Sequence, residues 1–455
     1  MRAEILTIGD ELCRGEIVDT NSSYLAARLW DLDITTAWMT SCNDDPGDIA
    51  AAVRLAAGRA DVVVCSGGLG PTEDDLTVDV LAGVLGVDPV VDEPARAAMV
   101  ARFERHPAYI GGSEATRGAL AAIQMRQVRV PAGARVFANP VGLAPGFEVV
   151  VGGVPVMCLP GVPKEIYGIV DGTAGAGGGG PGDGGAEGPG AARVGMAARW
   201  ESLRGQGDGN RAAERVARQL YRCFGRGESQ ISQACRGLVD GVPGASIHYQ
   251  VKFPETLVKL VVRDRDAGAA AARLATLDAG LRQRLAGVLY GTGEANLVEI
   301  VTRRLIAGGY TVATAESCTA GMVGELLTRL PGSSAAYLGG AIVYSNAEKV
   351  RQLGVAQATL DQHGAVSEAT VREMAVGAYQ RFGGRLAVAI SGVAGPGGGT
   401  AEKPVGTTWL AVAADTMVMT KLLAWPGNRE QNRTLAAWWA IKLLADAMDA
   451  LEVKA

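Results

Sequence analysis

The stretch "DVVVCSGGLGPTEDDLTVDVLAGVLG", residues 61–86, contains an apolar run, a glycine-rich turn and an apolar helical pattern in succession. A β-branched run bounded by glycine is typical of a strand, and the spacing that follows it predicts a helix. Earlier segments repeat this order, with "AEILTIG" followed by "NSSYLAARLWDL". Strands that alternate with helices predict an α/β fold over residues 1–170, with a mostly parallel sheet and helices on both faces.

The remaining chain divides into three further segments, since 455 residues are too many for one ordinary core. Residues 171–210 are rich in Gly, Pro and Ala, and this composition predicts a flexible insert because large apolar side chains are scarce. Residues 211–290 predict a small α+β domain, with a helix in "NRAAERVARQLYRCF", two paired strands and a second helix. Residues 291–455 return to the alternation and predict a second α/β domain.

Bulk composition excludes several classes of protein. The net charge of −5 argues against an electrostatic grip on nucleic acid along the whole chain. Seven dispersed cysteines without a CxxC pair favour reduced thiols, and three histidines are too few for a His-rich metal centre. We expect neither a signal peptide nor a membrane span, because no apolar run reaches about 18 residues. A cytoplasmic protein is therefore expected.

The glycine-rich turn after "DVVV" is a candidate phosphate site. Gly67, Gly68 and Gly70 expose backbone N–H groups beside a helix start, and the Thr72 hydroxyl adds a donor. The carboxylates that follow could hold a divalent cation bridging to phosphate oxygens, or could only cap the helix. The candidate metal ligands are Asp74, Asp75 and, after the first strand, Asp10.

Two later loops belong to the same predicted rim. "NPVGLAPGF" begins at Asn139, and "LPGVPKE" offers Lys164 as a cation. In open α/β sheets, the loops at the carboxyl ends of the strands surround the ligand. A phosphate-bearing ligand with a metal fits these loops, although turn chemistry explains their Pro and Gly equally well.

"TAESCTAGM", residues 314–322, is the candidate nucleophile segment. Ser317 lies where a strand is predicted to end and a helix to begin, so it is either a helix cap or an attacking hydroxyl. "IVYSNAEK" supplies Tyr344 and Lys349, and a lysine of lowered pKa or a Tyr–Lys couple could take the serine proton. Cys318 is interpreted as core filler, and Glu316 as an orienting or ligand-contacting group.

A second glycine-rich loop, "SGVAGPGGGTAEKPVGTTW", spans residues 391–409. Its N–H groups could wrap a phosphate, with help from Thr400 and Lys403. Arg429 and Arg433 open the last predicted helix and could bind a phosphate or form surface ion pairs. The candidate glycines of this loop are Gly395, Gly397 and Gly398.

Five motifs in order carry a resemblance to the competence/damage-inducible CinA family over nearly the whole chain: "GDELCRGEIVDTNS", "SGGLGPTEDDLT", "AESCTAG", "YSNAEK" and "SGVAGPGGGTAEKPVGT". The resemblance implies an N-terminal molybdopterin-binding-like, three-layer α/β/α domain with ADP-ribose pyrophosphatase activity, dependent on Mg, Mn or Co, that gives AMP and ribose 5-phosphate. It also implies a linking domain and a C-terminal nicotinamide mononucleotide amidohydrolase that needs no cofactor. A homodimer that binds neither nucleic acid nor membrane is expected.

The resemblance also assigns roles to individual residues. It implies that Ser317 is the nucleophile, with Tyr344 and Lys349 as its activating partners. Glu316, Thr319 and Gly321 match the ligand-facing loop, Arg429 matches a substrate arginine ahead of Arg433, and Thr72, Asp74, Asp75 and Lys164 match the N-terminal site. Two residues depart from the family pattern, Cys13 for a common Leu and Ala320 for a common Gly. The alternative function is a non-catalytic molybdopterin- or nucleotide-binding protein, or a competence-associated partner.

Overall fold

A computed structural model describes residues 1–104, 124–172, 195–206, 215–415 and 417–453. The chain forms two compact units, Met1–Arg215 and Val216–Ala455, and each is described separately. Strands and helices are numbered in chain order.

The first unit is built on a six-stranded sheet in the order β2-β1-β3-β8-β7-β6. The four strands from β2 to β8 are parallel, and β7 and β6 add an antiparallel edge. A short antiparallel pair, β4 and β5, lies outside this sheet. The strands are β1 (Arg2–Ile8), β2 (Thr35–Cys42), β3 (Val62–Ser66), β4 (Pro89–Val91), β5 (Arg129–Pro131), β6 (Arg135–Phe137), β7 (Gly146–Val151) and β8 (Val154–Leu159).

Helices cover both faces of this sheet, as predicted. One face packs apolar side chains of β1, β3 and β8 against α3 and α4, and the other packs them against α2, α6 and α7. This is the predicted three-layer α/β/α arrangement. The helices are α1 (Asp10–Cys13), α2 (Thr20–Asp31), α3 (Pro46–Ala57), α4 (Thr77–Leu85), α5 (Glu93–Phe103), α6 (Pro163–Asp171) and α7 (Met196–Gln206), with a 3-10 helix over Met125–Val128.

Helix α7 corrects the predicted flexible insert over 171–210. Met196 and Trp200 are both fully buried in the core that α2 and α6 share, and the Trp200 indole N–H donates to the Met157 sulfur at 2.7 Å. Two large apolar side chains in this segment bury enough surface to order one helix. Residues 173–194 and 207–210 of the predicted insert lie outside the described residues.

The second unit begins with a four-stranded sheet in the order β10-β11-β9-β12. The paired strands β10 (Ala245–Lys252) and β11 (Glu255–Asp264) and the helix α9 (Ala267–Arg284) agree with the predictions. The helix predicted in "NRAAERVARQLYRCF" is wrong, because β9 (Arg215–Cys223) is a strand that pairs with β12 (Leu289–Thr292). Helix α8 (Glu228–Cys235) packs on the same core.

The last segment forms a five-stranded sheet in the order β14-β13-β15-β16-β17. Strands β14, β13 and β15 pair in parallel, and β16 pairs antiparallel with both β15 and β17. The strands are β13 (Val312–Glu316), β14 (Tyr337–Ile342), β15 (Leu386–Gly392), β16 (Thr407–Ala414) and β17 (Met417–Ala424).

This sheet is also covered on both faces. Helices α10, α11 and α15 pack on one side, and α12, α13 and α14 pack on the other. They are α10 (Leu297–Ala307), α11 (Met322–Thr328), α12 (Asn346–Leu353), α13 (Gln357–His363), α14 (Glu368–Phe382) and α15 (Arg429–Glu452), with a 3-10 helix over Ser333–Ala335. Ser345 caps α12, because its hydroxyl accepts from the Glu348 amide. Across the described residues, no helix is both long and apolar enough to cross a membrane.

Candidate active site

The predicted nucleophile, Ser317, lies directly after the carboxyl end of β13 in the last sheet. β13 lies between β14 and β15, and the carboxyl ends of these three parallel strands meet at one edge, where open α/β sheets bind ligands. The Ser317 amide donates to the Ile390 carbonyl of β15 at 3.0 Å. Ser317 is therefore fixed at this edge, and it is 8% exposed.

Lys349 supplies a buried amine beside that serine. Its Nζ lies 3.2 Å from Ser317 Oγ and donates to the carbonyls of Val343 at 3.0 Å and Tyr344 at 3.3 Å. Lys349 is 1% exposed, and these partners in the described part of the chain are all uncharged oxygens. Burial therefore lowers the pKa of Lys349, although the nearby Cys318 partly opposes the shift.

The arrangement around Lys349 directs its lone pair at the serine. A neutral amine has two N–H donors and one lone pair. When the carbonyls of Val343 and Tyr344 accept the two N–H groups, the lone pair remains for the hydroxyl proton of Ser317. This geometry suits proton transfer from a serine nucleophile without a histidine.

The predicted Tyr–Lys couple does not form in this structure. The Tyr344 side chain is 59% exposed, and its hydroxyl accepts a hydrogen bond from Arg429 at 3.1 Å. Only the backbone carbonyl of Tyr344 contacts Lys349. Val343 is fully buried, so the next residue of this extended segment points to the opposite side. Tyr344 is thus a rim residue.

For Glu316 the sequence predicts an orienting or a ligand-contacting role, and its hydrogen bonds in this structure orient the turn. It is 1% exposed, and its carboxylate accepts from the amides of Gly321 at 2.9 Å, Val323 at 3.1 Å and Gly324 at 3.0 Å. Helix α11 begins at Met322, not at Ser317 as predicted. The last strand residue therefore caps the next helix, and Ser317 does not need to.

The turn between β13 and α11 holds the other predicted residues of this segment. Gly321 has φ +95° and precedes α11, and Ala320 has φ +50°, a left-handed conformation that glycine adopts more easily. Thr319 is fully buried, and its hydroxyl has no hydrogen-bond partner within the described residues. Cys318 is 6% exposed in the apolar core, where burial raises its thiol pKa to about 11, as expected for core filler.

Arg429 connects the second glycine-rich loop to Tyr344. The Arg429 guanidinium donates to the Gly395 carbonyl at 2.7 Å as well as to Tyr344. Gly395 is buried, whereas Gly397, Gly398 and Thr400 are exposed. The Thr400 hydroxyl accepts from the Lys403 amide, and Lys403 Nζ donates to the His363 carbonyl at 2.7 Å. Arg429 thus joins the loop to the rim.

Arg433 points into the turn. Its Nε donates to the Cys318 carbonyl and a terminal nitrogen donates to the Thr319 carbonyl, each at 3.0 Å. Sequence reasoning missed its neighbour Asn432, which is buried and donates to the Ala394 and Gly427 carbonyls. A polar residue in the apolar pattern of a helix was the only available signal.

The predicted phosphate turn of the first unit also lies at the carboxyl ends of strands. Gly67 and Gly68 have φ values of +113° and +67°, and a Cβ on Gly67 would lie 2.1 Å from the Ile8 carbonyl oxygen. The Thr77 hydroxyl donates to the Gly67 carbonyl at 2.9 Å. Glycine is therefore required where the turn after β3 passes the end of β1.

Asp75 organises this turn. Its carboxylate accepts from the Gly70 amide at 2.7 Å, from the Thr72 amide at 2.8 Å and from the Thr72 hydroxyl. Both oxygens are thus engaged by the loop itself. The predicted role of Asp75 as a metal ligand does not fit this arrangement.

The other predicted metal ligands do not converge either. Asp10 pairs with Arg14 and accepts from the Asp44 amide at 3.2 Å, and the Asp10 amide donates to Asp44 at 3.0 Å. Burial, together with the negative charges of Asp10, Glu11 and Asp74, raises the pKa of Asp44. Within the described ranges, no three His, Cys, Asp or Glu side chains form a possible cation site. The implied divalent metal therefore does not fit these residues as they stand.

The two remaining rim loops differ from each other. The Asn139 side chain accepts from the Val141 and Gly142 amides and donates to Glu165 at 2.7 Å, so it shapes its own loop. Lys164 is exposed at the start of α6. Burial raises the pKa of Glu165, against the opposing effects of Asn139 and Arg102.

Sequence reasoning missed Asn21 at this rim. It donates to Ser66 Oγ at 3.2 Å and to the Gly161 carbonyl at 2.8 Å, and its side-chain oxygen is buried without a partner among the described residues. It belongs to the quoted "DTNS" motif, which was the available signal.

Comparisons with known proteins agree with this organisation. Three family models match in succession: the probable molybdopterin binding domain over residues 4–174, the damage-inducible protein CinA KH domain over 218–291, and the CinA C-terminal domain over 294–448. A CinA-like protein of Anaeromyxobacter dehalogenans is 40% identical over 454 residues, covering 98% of this chain and 100% of the relative.

A second relative and a solved structure are also similar to this chain. A CinA-like protein of Geotalea uraniireducens is 34% identical over 446 residues, covering 98% of this chain and 97% of the relative. The crystal structure of competence/damage inducible protein CihA from Agrobacterium tumefaciens is 39% identical and covers 33% of this chain and 96% of its own, with a TM-score of 0.33. The chain belongs to the CinA family.

Proposed function

We propose that the second unit is an amidohydrolase that converts nicotinamide mononucleotide to nicotinate mononucleotide and ammonia. The observation that carries this proposal is the buried Lys349 amine 3.2 Å from Ser317 Oγ, with its pKa lowered by burial. A serine activated by a neutral lysine can attack a carboxamide. The substrate itself follows from the family resemblance.

The proposed reaction has two halves. Ser317 Oγ attacks the carboxamide carbon, and its proton passes to Lys349 Nζ. The C–N bond of the tetrahedral intermediate then breaks, and ammonia leaves with a proton from Lys349. Water attacks the resulting ester while Lys349 takes its proton, and Ser317 Oγ leaves as the restored hydroxyl. Nicotinate mononucleotide is released.

The experiment measures ammonia and nicotinate mononucleotide after incubation of the full-length protein with nicotinamide mononucleotide. Ser317→Ala should abolish both products, and Cys318→Ala, the matched change at the next position, should retain activity. Full activity in a folded Ser317→Ala protein would exclude Ser317 as the nucleophile. Absence of product with the unaltered protein would exclude the reaction.

A second proposal concerns the first unit, which we propose hydrolyses ADP-ribose to AMP and ribose 5-phosphate. It is supported by the position of the Gly67–Gly68 turn, which follows β3 at the carboxyl ends of the parallel strands, where open α/β sheets bind their ligands. The resemblance implies a divalent cation here, but the described carboxylates do not form its site, so we derive no step through it. AMP release with Mg, Mn or Co, and without them, tests the proposal.

We further propose a homodimer, which the resemblance implies, and a cytoplasmic location, which the composition favours. A homodimer is tested by light scattering of the purified protein. A cytoplasmic location is supported by seven cysteines that are all unpaired, which suits a reducing compartment. Tight retention of a nucleotide or molybdopterin without turnover in either unit would instead favour the non-catalytic alternative.

A further inference from the structure

Two charged side chains hold the turn that carries Ser317 from opposite ends. The Glu316 carboxylate accepts the amides at the start of α11, while the Arg433 guanidinium donates to the carbonyls of Cys318 and Thr319. Arg433 belongs to α15, which is more than a hundred residues away in sequence. The turn is therefore held by the fold and not only by its own short-range bonds.

The bond from Arg433 to the Cys318 carbonyl also sets the direction of an amide. The Cys318 carbonyl and the Thr319 N–H belong to one planar peptide unit, in which C=O and N–H point in opposite directions. Because Arg433 binds the carbonyl at 3.0 Å, the Thr319 N–H must face away from the guanidinium. In the described chain this N–H donates to no acceptor.

The positive charge of Arg433 has a further effect. Its bonds here are to neutral carbonyls, and no carboxylate pairs with it in the described part of the chain. A guanidinium that polarises a peptide carbonyl makes the N–H of that peptide a stronger donor. Thr319 itself is fully buried with an unpartnered hydroxyl, so a second polar atom of the same residue still lacks a partner.

We propose that Arg433 is a positioning residue, which orients the Cys318–Thr319 peptide so that the Thr319 N–H donates to the oxyanion of the tetrahedral intermediate. The inference rests on the proposed amide hydrolysis. It differs from the expectation that Arg433 contacts the substrate, because both of its bonded nitrogens face the turn carbonyls. Arg429, which is exposed and bonds Tyr344, is the arginine left to meet the substrate.

The two roles predict different kinetics. An oxyanion donor acts only in the transition state, so its loss lowers kcat, about 100- to 1,000-fold for one donor, and leaves KM nearly unchanged. Loss of a substrate contact raises KM. Arg433→Met should therefore reduce kcat. Arg433→Lys should reduce kcat less, because a lysine can donate to one of the two turn carbonyls but cannot bind both as a guanidinium does. Arg429→Met is the matched change and should raise KM.

The experiment measures kcat and KM for nicotinamide mononucleotide in the full-length protein and these variants, with thermal unfolding as the folding control. A further variant, Arg433→Ala, leaves space for a small cation. Added methylguanidinium should occupy this space and restore kcat. A raised KM with unchanged kcat in the Arg433 variants, or no change in either, would overturn the inference. If the unaltered protein releases no ammonia, the proposed function itself has failed.

Discussion

Replacing Glu316 by glutamine should loosen the nucleophile turn without removing any side-chain volume. The carboxylate Oε2 accepts two amides, those of Gly321 and Val323, and Oε1 accepts the Gly324 amide. Glutamine has one acceptor oxygen, so its NH₂ group must face one of these N–H donors. The best placement keeps the two bonds to Oε2 and leaves the Gly324 amide opposite another donor.

The expected destabilisation follows from this count. A buried donor left without its acceptor costs about 1–3 kcal/mol, and bonds to a charged acceptor are roughly twice as strong as those to a neutral one. One lost bond and two weakened bonds therefore give a loss of about 3 kcal/mol in the free energy of unfolding of the second unit. At about 2–4 °C per kcal/mol for a unit of this size, its Tm should fall by about 6–12 °C.

Calorimetry and hydrogen exchange of the full-length protein test this prediction. The transition of the second unit should move down, and exchange should accelerate in peptides from residues 316–328, while peptides of α2 in the first unit stay unchanged. Glu325→Gln makes the same chemical change on α11, where Glu325 forms an exposed ion pair with Arg329. Such pairs contribute about 0–1 kcal/mol, so this control should barely shift the transition.

Two outcomes would show that Glu316 does not cap α11 as described. If Glu316→Gln unfolds at the original temperature, keeps its exchange protection and only raises KM, then Glu316 contacts the ligand and does not hold the turn. The ligand-facing role that the resemblance implies would then stand. An equal shift in Glu316→Gln and Glu325→Gln would also contradict a specific cap.

Four further predictions address other features. Because burial lowers the pKa of Lys349 from its ordinary value of 10.5, the rate of ammonia release should rise with pH as the amine loses its proton, with the midpoint of the rise below pH 10.5. Lys349→Met should abolish both the rate and this pH dependence. Ala320→Gly should raise the free energy of unfolding of the second unit by about 1 kcal/mol, because Ala320 has φ +50°; denaturant unfolding measures this change. Trp200→Ala should destabilise the first unit by about 3–5 kcal/mol in denaturant unfolding, and an unchanged midpoint would mean that α7 does not dock. Asp75→Asn should leave Mn²⁺ affinity unchanged by calorimetric titration, whereas a role in a metal site predicts a loss of about tenfold or more.

The layered fold was predictable because its strands and helices have strong local patterns. β1, β3 and β13 are apolar runs closed by Gly or by polar turn residues, and their partners follow from the alternation. β9 was not predictable, because "RVARQLYRC" is rich in residues that favour helices. Its conformation is set by pairing with strands more than 30 residues away, and such pairing overrides local propensity.

In the candidate site too, some features were predictable from the sequence and others were not. The pairing of Ser317 with Lys349 was predictable, because both lie at strand-to-helix junctions of one sheet. The outward direction of Tyr344 was not predictable, because Ala341, Ile342 and Val343 are all apolar and the alternation of buried and exposed residues appears only in the structure. The cap role of Glu316 was not predictable either, because its partners are backbone amides whose positions depend on the turn itself.

Helix α15 carries a constraint on how this chain can vary. Near its start, Asn432 and Arg433 hold the site loops, and a turn and a half later Trp438 and Trp439 pack on Phe224, with ring centroids 5.8 and 4.9 Å apart. A one-residue insertion between these positions would rotate one set by about 100° relative to the other. The number of residues between these two sets of contacts is therefore constrained. Insertions and deletions should be tolerated outside this part of the helix and not within it.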